Sequence, residues 1–155
     1  MLPIADLHPI AVHFPIVFFL TLAAFDTVML VRGGAISGRT CTARISMGLA
    51  ALAGLTALVT YAVGDLAYDA AIASGIPEAR LETHEGLGTA TALALVVWAL
   101  LRGYFWWRGS PIEGRVKTAA VAIELAGVLL IIVTAYFGGQ LVYDLGVNVA
   151  HAAGG

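Results

Sequence analysis

Four long apolar segments, separated by short polar turns, dominate the pattern of the chain. They cover about residues 10–31, 45–67, 87–107 and 118–142. A hydrocarbon core of about 30 Å requires roughly 20 residues of helix, so each segment is long enough to cross a membrane. Glycine, serine and proline mark the turns between them, at Gly33, Gly34, Gly38, Gly75, Pro77, Gly109, Ser110 and Pro111. The pattern predicts an all-α integral membrane protein, a four-helix up-down bundle that forms a single domain over residues 1–155.

The composition supports the same class of protein. Of the 155 residues, 60% are hydrophobic and 12% are charged, and the mean hydropathy is +0.92. A soluble domain of this size would carry more charge. A formal net charge of -2 favours neither nucleic acid nor a polybasic lipid-binding surface. We therefore expect the lipid bilayer to be the partner and expect no nucleic-acid partner.

Basic residues surround the first and third turns, whereas acidic residues surround the second. The basic set is Arg32, Arg39, Arg44, Arg102, Arg108, Arg115 and Lys117, and the acidic set is Asp65, Asp69, Glu78, Glu82 and Glu85. The positive-inside rule places the basic turns in the cytoplasm, and hence both termini outside. No Lys or Arg precedes the first segment, so it is expected to remain as a span of the bacterial inner membrane.

Histidines lie beside the outer face of the predicted bundle. His8 and His13 open the first segment, His84 opens the third, and His151 follows the fourth. On a regular helix the five-residue spacing turns His8 and His13 about 140° apart, so they would not jointly bind one metal. His13 is the deeper of the two and is the preferred ligand, with His8 as the alternative. Because the first and third helices run in the same direction, we expect His13 and His84 to face each other.

Two opposed imidazoles are the ligand set of a six-coordinate b-type haem. Gly86 and Gly88, after a capping residue at Thr83, and Gly138 and Gly139 in the fourth segment would leave room for a large planar cofactor. For His84 the alternative is a capping-region histidine at the membrane interface. For His13 the alternative is a polar group bonded to a neighbouring helix. For His151, in the C-terminal tail, the absence of a ligand function is favoured.

A weak internal repeat supports an equivalence between His13 and His84. Residues 61–69 and 136–144 each contain Tyr, then Gly, then Tyr-Asp. Under that interpretation each half of the chain is a histidine-bearing helix followed by one of these segments, and a pseudo-two-fold site lies between the halves. Small residues in the second segment predict close packing, with a homodimer seam as a further role.

Other side chains define what the site can and cannot contain. Cys41 stands alone, which excludes an intramolecular disulfide, c-type haem attachment and a four-thiolate iron–sulfur cluster. Asp26 and Glu124 lie within the first and fourth segments, in the cytoplasmic leaflet. Such residues are costly in a membrane. They predict either a proton path or quinone pocket, or structural pairs with Arg32, Arg44, Lys117 or a hydroxyl, and the structural role is slightly favoured.

The motifs His8-Pro9 to His13-Phe14-Pro15, His84-Glu85-Gly86-Leu87-Gly88 and residues 138–147 together resemble the bacterial membrane family called domain of unknown function 2231. The resemblance implies a four-helix inner-membrane protein. It also implies an electron-transfer role, since some relatives are joined to Rieske iron–sulfur domains. The family often carries a histidine two residues beyond the closing Tyr, where this chain has Leu145.

The leading hypothesis is a non-catalytic b-type cytochrome that transfers electrons between a membrane quinol and a periplasmic partner. Its haem b would be bound by His13 and His84 near the outer face. A second hypothesis is a copper, zinc or non-haem iron site formed by His8, His13 and His84 with Asp6 or Glu85. A third is a cofactor-free accessory subunit of a respiratory complex. No nucleophile-base set and no H-E-x-x-H motif occurs, so catalysis is not predicted.

Overall fold

The computed structural model describes residues 7–147, and this part of the chain is helical between short turns. The helices are α1 (His8–Ala11), α2 (His13–Val31), α3 (Cys41–Ala73), α4 (Glu78–Trp107) and α5 (Gly114–Leu145). Helices α1 and α2 form one interrupted span. Over residues 7–147 the chain therefore has four helical spans long and apolar enough to cross a membrane, and no strand. The predicted all-α four-helix membrane fold is confirmed.

The four spans pack around a square. Helices α2 and α4 each pack against both α3 and α5, so α2 faces α4 across the diagonal. Large side chains from three helices fill the centre against small residues of α3; the set is Phe19, Leu22, Ala50, Ala53, Ala57, Leu95 and Ile131. Gly54 permits this closeness, because a Cβ there would lie 2.6 Å from the Cβ of Ala99. The core thus separates two polar ends of the bundle.

We call these the histidine end and the arginine end. The histidine end contains His8, His84 and the turn at residues 74–77. The arginine end contains Arg102 and the turns at residues 32–40 and 108–113. Since α2 and α4 are parallel, side chains near their N-termini meet at the histidine end.

Helices α3, α4 and α5 extend beyond the apolar segments that predict them. They contain 33, 30 and 32 residues, whereas a hydrocarbon core needs roughly 20. Hydropathy detects only the apolar part, while helical hydrogen bonds continue into the polar flanks. Helix α4 begins at Glu78 after Pro77, rather than near residue 87. Thr83 therefore lies inside α4 and does not cap it, which corrects the expected helix start.

The first span is interrupted at Val12, between α1 and α2. Pro15 has no backbone N–H, so the carbonyl of Ala11 loses its usual partner four residues later. The hydroxyl of Thr60 on α3 donates to that carbonyl at 3.0 Å. A bond between two helices therefore replaces the bond that proline removes, and it ties α1 to α3.

Candidate functional site

A pair of histidines occupies the histidine end of the bundle. His8 on α1 and His84 on α4 are both half-buried, and their ring centroids lie 6.3 Å apart with an interplanar angle of 72°. An imidazole nitrogen binds a transition metal at about 2.0–2.1 Å, and the ring centroid lies about 1 Å further out. Two opposed imidazoles on one metal ion would then have centroids about 6 Å apart. The observed separation is compatible with that arrangement.

Each histidine ring packs against a glycine of the next membrane span along the chain. A Cβ at Gly64 of α3 would lie 2.9 Å from Cε1 of His8, and a Cβ at Gly138 of α5 would lie 2.8 Å from Cε1 of His84. Any larger residue would displace the ring. The two glycines therefore create the space in which the imidazoles sit.

Threonines extend this two-fold pattern. Thr60 and Thr134 each lie four residues before the glycine that contacts a histidine. Thr60 donates to α1 at Ala11. The carbonyl of Thr134 lies 3.2 Å from Nδ1 of His84, which suits an Nδ1–H donor and leaves Nε2 free to bind a metal. The sequence repeat predicts such an equivalence, but the structure pairs His84 with His8 rather than with His13.

The structure places His13 away from His84. His13 is exposed on the surface of the bundle, immediately after the break at Val12. The side chain of His8 instead turns inward and reaches Gly64. The preference for His13 rests on its greater depth in the span. The five-residue spacing turns the two histidines about 140° apart, and the packing of the bundle turns His8 inward and His13 outward.

The remaining predicted site residues are distributed differently from the expectation. A Cβ at Gly86 or Gly88 would meet no atom within 4 Å, and one at Gly139 would meet only Cδ2 of Tyr143, at 4.0 Å. Only Gly138 among the four predicted glycines contacts a histidine. Asp6 and His151 lie outside the described residues. Within residues 7–147 no group of three or more His, Cys, Asp or Glu side chains is arranged to hold a metal ion.

A cleft of about 250 Å³ adjoins His84 between α4 and α5. Its walls include Arg80 and Thr83 of α4, and Phe137 and Gln140 of α5. Ligand pockets commonly measure about 300–1,000 Å³. The cleft alone is therefore too small for a macrocycle, and admitting one requires a neighbouring element to move.

The arginine end contains a buried ionic cluster. Nη1 of Arg102 lies 2.6 Å from Oδ2 of Asp26 and 2.7 Å from Oε1 of Glu124. Nη2 donates to the carbonyl of Ile36 at 2.7 Å and to the hydroxyl of Ser46. The cluster joins α2, α3, α4 and α5 to the first turn.

Two further donors complete this cluster. Ser46 donates to Oδ2 of Asp26 at 2.8 Å, and the indole N–H of Trp98 donates to Oε1 of Glu124 at 3.1 Å. Asp26 and Glu124 thus pair with an arginine and a hydroxyl, as the structural alternative anticipates. The arginine is Arg102, however, and not Arg32 or Arg44.

The sequence interpretation missed Arg102 because it counts this residue among the basic residues of the third turn. Arg102 is only 3% exposed and lies inside α4, which continues to Trp107. Its apolar neighbours Leu100 and Leu101 on one side and aromatic residues on the other were the available signal. Lys117 is also buried, and it donates to the carbonyls of Met29 and Gly34. Both residues therefore contribute less to the surface charge than their position suggests.

The fold and its buried polar groups define a four-helix integral membrane protein. The family model described as predicted membrane protein, domain of unknown function 2231, matches residues 5–151. The chain belongs to this family, and the resemblance seen in its motifs is confirmed. Comparison with curated proteins gives no match, and comparison with solved structures gives none.

Proposed function

We propose that this protein is a b-type cytochrome of the membrane, with one haem b held between His8 and His84. The observation that carries the proposal is the 6.3 Å separation of the two ring centroids across the bundle diagonal. The pair of imidazoles matches the ligands that an iron porphyrin takes, and the cleft beside His84 would have to widen to admit the macrocycle. When bound, the haem would supply reversible one-electron chemistry.

The surroundings of the two rings also support a ligand role. His84 is held by Thr134 in the manner of a metal-ligating histidine. Nδ1 of His8 is buried, and no hydrogen-bond partner for it occurs in the described chain. Buried polar groups are normally paired, so Nδ1 of His8 needs an acceptor close by. The backbone of Thr60 lies beside this ring. A metal at Nε2 would favour the tautomer in which Nδ1–H donates to such a carbonyl, as at His84.

The proposed setting is the bacterial inner membrane, with the histidine end on the periplasmic side. Arg32, Arg39, Arg44, Arg108 and Arg115 remain available at the arginine end to satisfy the positive-inside rule. In this orientation the haem would exchange electrons with a periplasmic partner and with membrane quinol. The small residues of α3, such as the exposed Gly48, leave a homodimer seam as a prediction.

The deciding experiment is optical spectroscopy of the purified chain from haem-replete cells. We expect sharp reduced bands of low-spin haem b, with about one haem per chain in a pyridine haemochrome assay. His8→Ala and His84→Ala should each abolish the low-spin spectrum, whereas His13→Ala, which changes an exposed side chain, should preserve it. Thermal melting in detergent serves as the folding control for all three variants.

Other outcomes lead back to the competing hypotheses. Loss of the spectrum in His13→Ala but not in His8→Ala would restore His13 as the ligand. A folded, colourless preparation with stoichiometric copper, zinc or iron would contradict the cytochrome and favour the metal site. A folded preparation without haem or metal would favour the accessory subunit.

A further inference from the structure

The cluster at the arginine end contains two acidic groups and one basic group. Asp26 and Glu124 are fully buried and Arg102 is 3% exposed. If all three were ionised, the cluster would carry one net negative charge with no contact to water. An uncompensated buried charge is among the costliest features a protein interior can contain. The excess charge therefore needs compensation.

Among residues 7–147, the elements packed around the cluster provide no second cation, because the other arginines at this end are exposed. Helix α3 contributes the neutral Ser46, while its Arg44 is exposed. Helix α5 contributes Lys117, whose ammonium group donates to the carbonyls of Met29 and Gly34. Both salt bridges found between residues 7 and 147 use Arg102.

The hydrogen bonds show where compensation is missing. Oδ2 of Asp26 and Oε1 of Glu124 each accept two donors. Both accept from the same Nη1 atom, at 2.6 and 2.7 Å, so these two oxygens lie no more than 5.3 Å apart. The other oxygens, Oδ1 of Asp26 and Oε2 of Glu124, are buried, and the described residues offer them no hydrogen-bond partner. Two carboxylates this close repel each other strongly in a medium of low dielectric.

We propose that Asp26 and Glu124 together bind one proton, so that the cluster with Arg102 is electrically neutral. The proton comes from water and forms one O–H bond on a carboxyl oxygen that Arg102, Ser46 and Trp98 leave free. The cluster is then a proton-binding site inside the membrane, at the end of the bundle opposite the histidines. It stands on its own observations and does not depend on haem at the histidine end.

Infrared spectroscopy of the full chain in lipid nanodiscs tests this proposal. Near neutral pH the protein should show one C=O stretching band of a protonated carboxyl, which shifts in D₂O. Removing either acid leaves one carboxylate beside one guanidinium, so Asp26→Asn and Glu124→Gln should each abolish the band. Glu85→Gln, which changes an exposed carboxyl, should leave the band intact.

A shared proton predicts loss of the band in both single variants. Absence of the band in the unmodified protein would overturn the proposal, as would its persistence in either single variant. Folding is checked separately by thermal melting. Both single variants keep a neutral pair and should melt close to the unmodified protein, whereas Asp26→Asn combined with Glu124→Gln leaves Arg102 unpaired and should melt clearly lower.

Discussion

Gly138 shows how a single absent side chain shapes the histidine end. It lies against His84, and a Cβ would approach Cε1 of that ring to 2.8 Å. The sequence identifies Gly138 together with Gly86, Gly88 and Gly139, but it cannot say which of the four faces a histidine. That depends on the rotation of α4 and α5 about their axes, which packing of the whole bundle determines.

Gly138→Ala should therefore displace the His84 ring and destabilise the protein by about 1–3 kcal/mol, the usual cost of overpacking. Thermal unfolding in detergent measures the effect. Gly86→Ala is the matched control, because a Cβ there meets no atom within 4 Å, and it should be neutral or slightly stabilising. Equal melting temperatures for the two variants would contradict the close contact at Gly138.

Arg102 illustrates a residue whose environment was not apparent from the sequence. Its position near the end of an apolar segment suggests a loop charge, whereas Asp26 and Glu124 are recognisable as buried acids. The connection between them requires α2, α4 and α5 to converge, which is tertiary information. The sequence therefore predicts that these acids need partners but does not identify the partner.

Arg102→Met should destabilise the protein by about 3–5 kcal/mol, because it removes the common partner of two buried acids. Arg102→Lys is the informative comparison. A lysine retains the charge but cannot donate in the fixed fork that reaches Asp26, Glu124 and Ile36 together. We expect an intermediate melting temperature for Lys, and equal melting of both variants would indicate that charge alone is unimportant there.

The interrupted first span is a feature at the scale of elements. The sequence identifies the prolines and predicts a loosened helix around His13. It does not predict that the break falls at Val12 or that Thr60 of α3 bonds to the freed carbonyl of Ala11. The physical reason is that the replacement donor comes from a helix about 50 residues away in sequence.

Thr60→Val should detach α1 from α3, because valine has nearly the shape of threonine but no hydroxyl to donate. We expect a loss of about 1–3 kcal/mol from the unpaired carbonyl. Amide hydrogen exchange in α1 should be faster in this variant than in the unmodified protein, whereas exchange in α4 should change less. Thr60→Ser restores the donor and should recover protection. Failure of serine to do so would mean that the methyl group, and not the hydroxyl, holds α1.

The topology of the whole molecule was predictable because hydropathy and charge both act over long segments. The four spans follow from the apolar pattern, and the bundle follows from the short turns. Orientation is a prediction of the positive-inside rule. Cys41 is exposed at the arginine end, and Ala73 is exposed at the histidine end, so the chain offers a probe position at each end.

Labelling of spheroplasts with a membrane-impermeant maleimide tests the orientation. Cys41 should react only after the membrane is permeabilised, because the arginine end is proposed to face the cytoplasm. In a Cys41→Ser background, Ala73→Cys should react without permeabilisation. The reverse pattern would invert the proposed orientation and would place the histidine pair on the cytoplasmic side.

The long reach of the ionic cluster along the chain bears on how the protein is made. Asp26 precedes Arg102 by 76 residues. At a synthesis rate of about 5–20 residues per second, Asp26 is synthesised roughly 4–15 seconds before Arg102. During this interval the first span carries an aspartate whose arginine partner has not yet been synthesised. Asp26 can form its ion pair with Arg102 only after the third span has been made.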